Sequence, residues 1–225
     1  MLRAIVFDFD GVIANSEPLH FRAFRDVLST FGVDLSEQDY YTRYLGYDDV
    51  GVFKAVGVDR GLAWTSDRVA AFVSSKAVLM EAAERDGAIL FPGAEAAIRL
   101  AAASLPLAIA SGALGAEIRR VLDREQLTMC FKAIVAAEDT PASKPAADPY
   151  LRAVSLLANA LDRPLRPAEC VAIEDSPWGL ESARAAGLRT VAVAQTYDRG
   201  ALEADLVIPS LNELDLAALE RLCST

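Results

Sequence analysis

An apolar run, Ile5-Val6-Phe7, ends in Asp8-Phe9-Asp10-Gly11. In an extended chain residues i and i+2 point the same way, so Asp8 and Asp10 share a face while Phe9 turns back into the fold. Two carboxylates that close repel each other unless a cation or a shared proton compensates. Gly11 then lets the backbone turn away sharply. A strand of this kind belongs in a sheet with ligands beyond its carboxyl edge, the arrangement of open parallel sheets.

The rest of the chain fits such a sheet. Short apolar runs at 3–8, 107–111, 133–136, 170–174, 190–194 and 206–208 read as strands and alternate with helical patterns. Asp148-Pro149 opens one helix, with Tyr150, Val154, Leu157 and Leu161 at helical spacing. Ser176-Pro177 opens another, which Gly187 closes. This alternation implies a doubly wound parallel α/β sheet. Residues 15–86 break the rhythm. They hold three helical stretches: 19–31 ending at Gly32, a Ser36-capped segment ending at Gly46, and 67–85 ending at Gly87. The expected organisation is a catalytic core of 1–14 and 87–225 with a small helical domain, 15–86, inserted after the first strand. Such an insert is placed to act as a lid.

Bulk properties narrow the function. The chain has 225 residues, is 53% hydrophobic and carries a net charge of −10. That acidity disfavours nucleic acid and anionic membranes as partners, and a phosphorylated substrate must meet a local positive site. The three cysteines, Cys130, Cys170 and Cys223, have no metal-type spacing, and Cys170 reads as a small core residue. A reduced, cytoplasmic setting is the expectation. The N-terminus runs straight into the strand with no signal-peptide pattern, and the apolar stretch 96–110 is broken by Arg99 and Pro106. A single histidine, His20, excludes His-rich zinc sites.

The strand ends carry the chemistry. Ser111-Gly112 follows the second expected strand and leads into a helix near Gly115, a hydroxyl and backbone amides suited to an oxyanion. Lys144 follows the third beside Pro145. Glu174-Asp175-Ser176 follows the fourth. Each signal alone has a simpler explanation, as a turn, a solvated lysine or helix capping. Together, four carboxylates from two strand ends make an all-oxygen site suited to Mg²⁺.

In this order the motifs Asp8-Phe9-Asp10-Gly11-Val12, Ala110-Ser111-Gly112, Ser143-Lys144-Pro145 and Ile173-Glu174-Asp175-Ser176-Pro177 resemble those of the haloacid dehalogenase superfamily. Asn15-Ser16-Glu17-Pro18-Leu19-His20 and Phe91-Pro92-Gly93 are similar to the cap boundaries of its β-phosphoglucomutase and phosphoglycolate phosphatase branch. The resemblance implies a Rossmann-like core and an inserted helical cap. It implies Asp8 as the nucleophile that forms an aspartyl-phosphate and Asp10 as the acid and base. Ser111, Gly112 and Lys144 would grip the phosphoryl group. Mg²⁺ would be held by Asp8, the Asp10 backbone carbonyl, Glu174 and Asp175. Asp10 also separates reaction types, since the dehalogenases of the superfamily lack an acid at that place.

Phosphatase and mutase separate elsewhere. The mutases grip a second phosphate with a cap arginine and polar residues after the motif-two serine. Here Tyr47-Asp48-Asp49 and Ala113-Leu114-Gly115 stand in those places. Losing charge-assisted contacts of that kind costs on the order of 1.5–3 kcal/mol each. The expectation is therefore a phosphatase for a small phosphorylated metabolite of the phosphoglycolate or sugar-phosphate type, with a mutase, a dehalogenase or a non-catalytic binding protein as alternatives. His20, Arg43, Tyr47, Lys54 and Lys76 are the candidate leaving-group contacts. His20 reads equally as a packed helix residue. Lys76 reads most simply as an outward, solvated lysine, although the resemblance puts a basic substrate contact there. A cap that opens and closes is compatible with a monomer.

Overall fold

The computed structural model describes residues 1–45, 47–86 and 89–224. The chain divides into two compact units, Met1–Asn15 with Ile89–Thr225, and Ser16–Ala88. The strands are β1 (Ala4–Phe7), β2 (Leu107–Ala110), β3 (Phe131–Val135), β4 (Cys170–Glu174), β5 (Arg189–Val193) and β6 (Leu206–Ile208). The helices are α1 (Glu17–Ser29), α2 (Glu37–Asp39), α3 (Asp49–Asp59), α4 (Ser66–Asp86), α5 (Ala94–Ala102), α6 (Gly115–Arg124), α7 (Asp148–Ala160), α8 (Pro177–Ala185) and α9 (Leu216–Leu222). Among the described residues no helix is long and apolar enough to cross a membrane.

In the larger unit all six strands are parallel, in the order β3-β2-β1-β4-β5-β6. Each expected strand is present. β3 starts two residues early, at Phe131, whose ring meets Phe7 edge-on at 6.2 Å. β1 and β4 are buried along their full length, the near-continuous apolar pattern of strands covered on both faces. Ala4 and Val6 share one core with Ala108, Ala172 and the buried stripe Tyr150, Ala153, Val154 and Leu157 of α7. The pairing Phe7↔Ile173 sets the positions after it, Asp8 and Glu174, side by side. The Asp8 amide continues this ladder by donating to the Ile173 carbonyl at 2.8 Å.

The smaller unit is helical, with a core of Phe24, Leu28, Leu35, Tyr44, Phe53, Val56 and Phe72. Its first helix starts at Glu17, two residues before the expected onset, because Pro18 suits the first turn. Ser36 caps as expected, accepting from the Asp39 amide at 3.0 Å. The segment then continues as a π-helical turn, Tyr40–Tyr44, rather than a regular helix. Gly46 and Gly87, expected as helix ends, lie outside the described residues. α3 is an element the sequence reading lacks. Asp48 caps it by accepting from the Gly51 amide at 2.6 Å, and Gly57 leaves room for the Trp64 ring.

Candidate active site

Three carboxylates, Asp8, Glu174 and Asp175, converge beyond the ends of β1 and β4, with oxygens within 4.8 Å of one another. All three are buried. Lys144, from the loop after β3, bridges two of them. Its Nζ lies 2.5 Å from Glu174 Oε1 and 2.9 Å from Asp8 Oδ1. The contact to Asp8 is close enough for the charges but off the line of a hydrogen bond, so this buried oxygen has no aligned donor. Glu174 is fully buried and well satisfied. Oε1 also accepts from the Tyr150 hydroxyl at 2.7 Å, while Oε2 accepts from the Asp175 amide at 3.1 Å and Ser176 Oγ at 3.4 Å.

The electrostatics follow from this crowding. Burial, and then the Glu174 charge, push the Asp8 carboxyl up to about 6, against the pull of Lys144. Burial and the Glu174 and Asp8 charges raise Asp175 well above the usual carboxylate range. Burial draws the Lys144 ammonium down, but the Asp8 and Glu174 carboxylates outweigh it and hold Lys144 protonated. Three acids against one ammonium leave an excess of negative charge in a low-dielectric place. An all-oxygen donor set, two carboxyls raised above their usual range for want of counter-charge and a buried oxygen without a donor together fit a hard divalent cation such as Mg²⁺.

Asp10 stands two residues past Asp8 and is half-buried. Its carboxylate is not part of the three-acid cluster; the expected metal contact there is its backbone carbonyl. The turn it occupies is held by Gly11, whose φ of 75° suits glycine and whose missing Cβ makes room for the Asp175 carboxylate. Ser111 is buried directly after β2. Its Oγ accepts from the Ala113 amide at 3.1 Å and keeps its own proton to donate. The helix start beyond it differs from expectation. The Gly115 amide already donates to Glu138 at 3.0 Å and the Leu114 amide to Glu117 at 3.4 Å, so acidic side chains of the chain itself occupy these donors. Gly112 is exposed, with open space around it.

His20 and Lys76 belong to the helical unit, where they meet. Lys76 corrects the expectation of a solvated lysine, being 1% exposed. Its Nζ lies 2.5 Å from Asp49 Oδ1 and 2.7 Å from His20 Nδ1, and 4.5 Å from the centroid of the Phe24 ring. This anion, acceptor and π-face compensate its desolvation. Burial, and then the Lys76 charge, hold His20 far below its ordinary range. A neutral imidazole that accepts at Nδ1 carries its proton on Nε2. Arg43 pairs with Asp59 at 2.6 Å, while Tyr47 and Lys54 are exposed.

Three contributors escape sequence reading. Tyr150 reads as one member of an apolar stripe, and only its hydroxyl hints at a polar partner. Gln195 and Thr196 follow β5, where the strand-end rule applied to the other strands would find them. Gln195 Nε2 donates to the Gly11 carbonyl at 3.1 Å, and Thr196 works against the upward shift of the Asp175 carboxyl.

The profile of haloacid dehalogenase-like hydrolases matches residues 5–193. The chain is 33% identical to Protein CbbY of Rhodobacter capsulatus, covering 98% of this chain and 99% of that one. It is 32% identical to hexitol phosphatase B of Escherichia coli K12, over 94% and 93% of the two chains. A crystal structure of mutant CbbY from Rhodobacter sphaeroides in complex with xylulose-(1,5)bisphosphate superposes with a TM-score of 0.83 at 28% identity, covering 97% of this chain and 99% of that one.

Proposed function

Because the chain belongs to the haloacid dehalogenase-like hydrolases and matches a named phosphatase over nearly its whole length, we propose that it is a Mg²⁺-dependent phosphatase for a sugar or polyol monophosphate. The observation that carries this reading is Lys144 set between Asp8 and Glu174 at the ends of adjacent strands. Asp8 attacks phosphorus and forms an aspartyl-phosphate, with the bond to the ester oxygen breaking as the new one forms. Asp10 gives its proton to the departing alkoxide and then takes one from the water that hydrolyses the acyl phosphate. Lys144 and Ser111 donate to phosphoryl oxygens as their charge shifts. Asp8, Asp175 and the Asp10 carbonyl would hold the cation, with the Glu174 charge beside them. When bound, it screens the attacking carboxylate from the phosphate and keeps Asp8 ionised.

A single phosphate suits the helical unit. Its buried ammonium, Lys76, is already neutralised by Asp49, and Arg43 by Asp59. Of the three candidate cations only the exposed Lys54 is then left for a second dianion, which speaks against both a bisphosphate substrate and a phosphosugar mutase. The test is phosphate release from a panel of hexitol phosphates, hexose phosphates, phosphoglycolate and xylulose 1,5-bisphosphate, with and without Mg²⁺, beside Asp8→Asn. Mg²⁺-dependent release that vanishes in Asp8→Asn is expected, fastest with a monophosphate. Release that survives Asp8→Asn overturns the nucleophile. A preference for the bisphosphate overturns the substrate class.

A further inference from the structure

Tyr150 is fully buried in α7, in a stripe whose other members are Ala153, Val154 and Leu157. Packing alone would be served by phenylalanine. The hydroxyl donates to Glu174 Oε1 at 2.7 Å, the oxygen that also accepts from Lys144 at 2.5 Å. The Lys144 ammonium also stands 5.2 Å from the centroid of the Tyr150 ring. One residue thus touches both ends of the Glu174–Lys144 pair.

A carboxylate oxygen has two lone pairs. With one taken by Tyr150, Glu174 Oε1 offers Lys144 a single direction, and the carboxylate cannot turn to follow the ammonium. Lys144 is then divided between Glu174 and Asp8, 2.9 Å away, rather than drawn wholly to Glu174. The ring beneath the ammonium limits its movement away from this place. We propose that Tyr150 is a positioning residue for phosphoryl transfer, its hydroxyl fixing the Glu174 carboxylate so that Lys144 stays within reach of Asp8 and of the phosphoryl group. This rests on the reading of Asp8 and Lys144 as the reacting pair.

The experiment compares wild type with Tyr150→Phe, using 4-nitrophenyl phosphate with Mg²⁺ for kcat and KM, and thermal unfolding of the metal-free proteins. A group that acts mainly in the transition state shows itself in kcat. Tyr150→Phe is expected to keep its unfolding midpoint within about 5 °C, to lose about tenfold in kcat and to keep KM within about twofold. Installing 4-aminophenylalanine at position 150 returns an N–H donor to the same place and is expected to restore kcat to within about threefold. If Tyr150→Phe does not fold, 4-methylphenylalanine, which fills the ring site without a donor, takes its place in the comparison. A donor-free variant as fast as wild type, or a 4-aminophenylalanine variant as slow as the donor-free one, overturns the role of Tyr150 while the phosphatase reading stands. A folded wild type that releases no phosphate from any ester overturns both.

Discussion

Gly179 of α8 passes so close to the Glu174 carboxylate that a Cβ at position 179 would occupy the place of the Glu174 oxygens. The helix that begins with Ser176-Pro177 is thereby folded down onto the acid that ends β4. Glu174 is held from all sides, by Lys144, Tyr150, the Asp175 amide, Ser176 and this backbone.

Gly179→Ala must push Glu174 out of its seat and so disturb Lys144 with it. Overpacking of this kind costs about 1–3 kcal/mol. The expected outcome is a lower unfolding midpoint together with at least about a tenfold fall in kcat, because stability and geometry are lost through the same carboxylate. Calorimetry and steady-state kinetics on one preparation check it; a variant with wild-type kcat would show that Glu174 has room to move.

The raised Asp8 carboxyl gives a pH dependence of known sign. Its folded value is about 6 against 3.8 for the ordinary group, so between these values the folded protein binds more protons than the unfolded chain. Stability of the metal-free protein therefore falls as pH rises through this window. Asp8→Asn imitates the protonated acid. It is expected to stabilise the metal-free protein at pH 7.5, by at most about 3 kcal/mol. The gain should shrink towards zero near pH 4. Urea unfolding at the two pH values measures it, and an equal effect at both contradicts the assignment.

Removing one partner of a buried ion pair leaves the other uncompensated, which costs about 3–5 kcal/mol. Glu174→Ala leaves the Tyr150 hydroxyl without its acceptor and the Lys144 ammonium with Asp8 alone, and is expected to fall at the lower end of that range. Lys144→Met removes the ammonium from two acids that already repel, and its loss of stability should be partly restored by Mg²⁺. Denaturant titrations with and without Mg²⁺ test this; a Lys144→Met protein that Mg²⁺ leaves unchanged would argue against a cation at these acids.

His20 is the single histidine of the chain, so its ring protons can be followed by NMR without assignment. Burial is the larger cause of its depressed titration and the Lys76 charge the second. Lys76→Met removes the second alone. The His20 value should rise yet stay below its ordinary 6.5. No change would mean that the Lys76–His20 contact, 2.7 Å here, is absent in solution.

Much of this was legible in the chain itself. The six strands and the acids, serine and lysine at their ends could be read because apolar runs and abrupt polar stops are local signals. α3 was not, since Gly51, Gly57 and the valines Val52, Val56 and Val58 are poor helix formers, and its Asp48 cap lies among residues that read as a loop. Lys76 looked like a solvated residue because its partner Asp49 is 27 residues away on another helix. Tyr150 was hidden by the stripe that buries it, and its polar partner lies 24 residues further on. What escapes is pairwise contact across elements, which no periodicity records.

The strand order has a consequence for how the protein comes into being. β1 sits in the middle of the sheet, yet its neighbours arrive late: Ile5 pairs with Leu107 and with Val171. During synthesis the strand that ends in Asp8 leaves the ribosome long before either neighbour and must wait for both before its edges are covered. Contacts of such long separation slow folding. Lys144 emerges before Glu174 and Asp175, so Asp8 cannot meet its full set of partners until the chain has been made as far as Asp175. A chain not yet made that far lacks this cluster, and the surroundings of Asp8 are completed only by the fourth of the six strands.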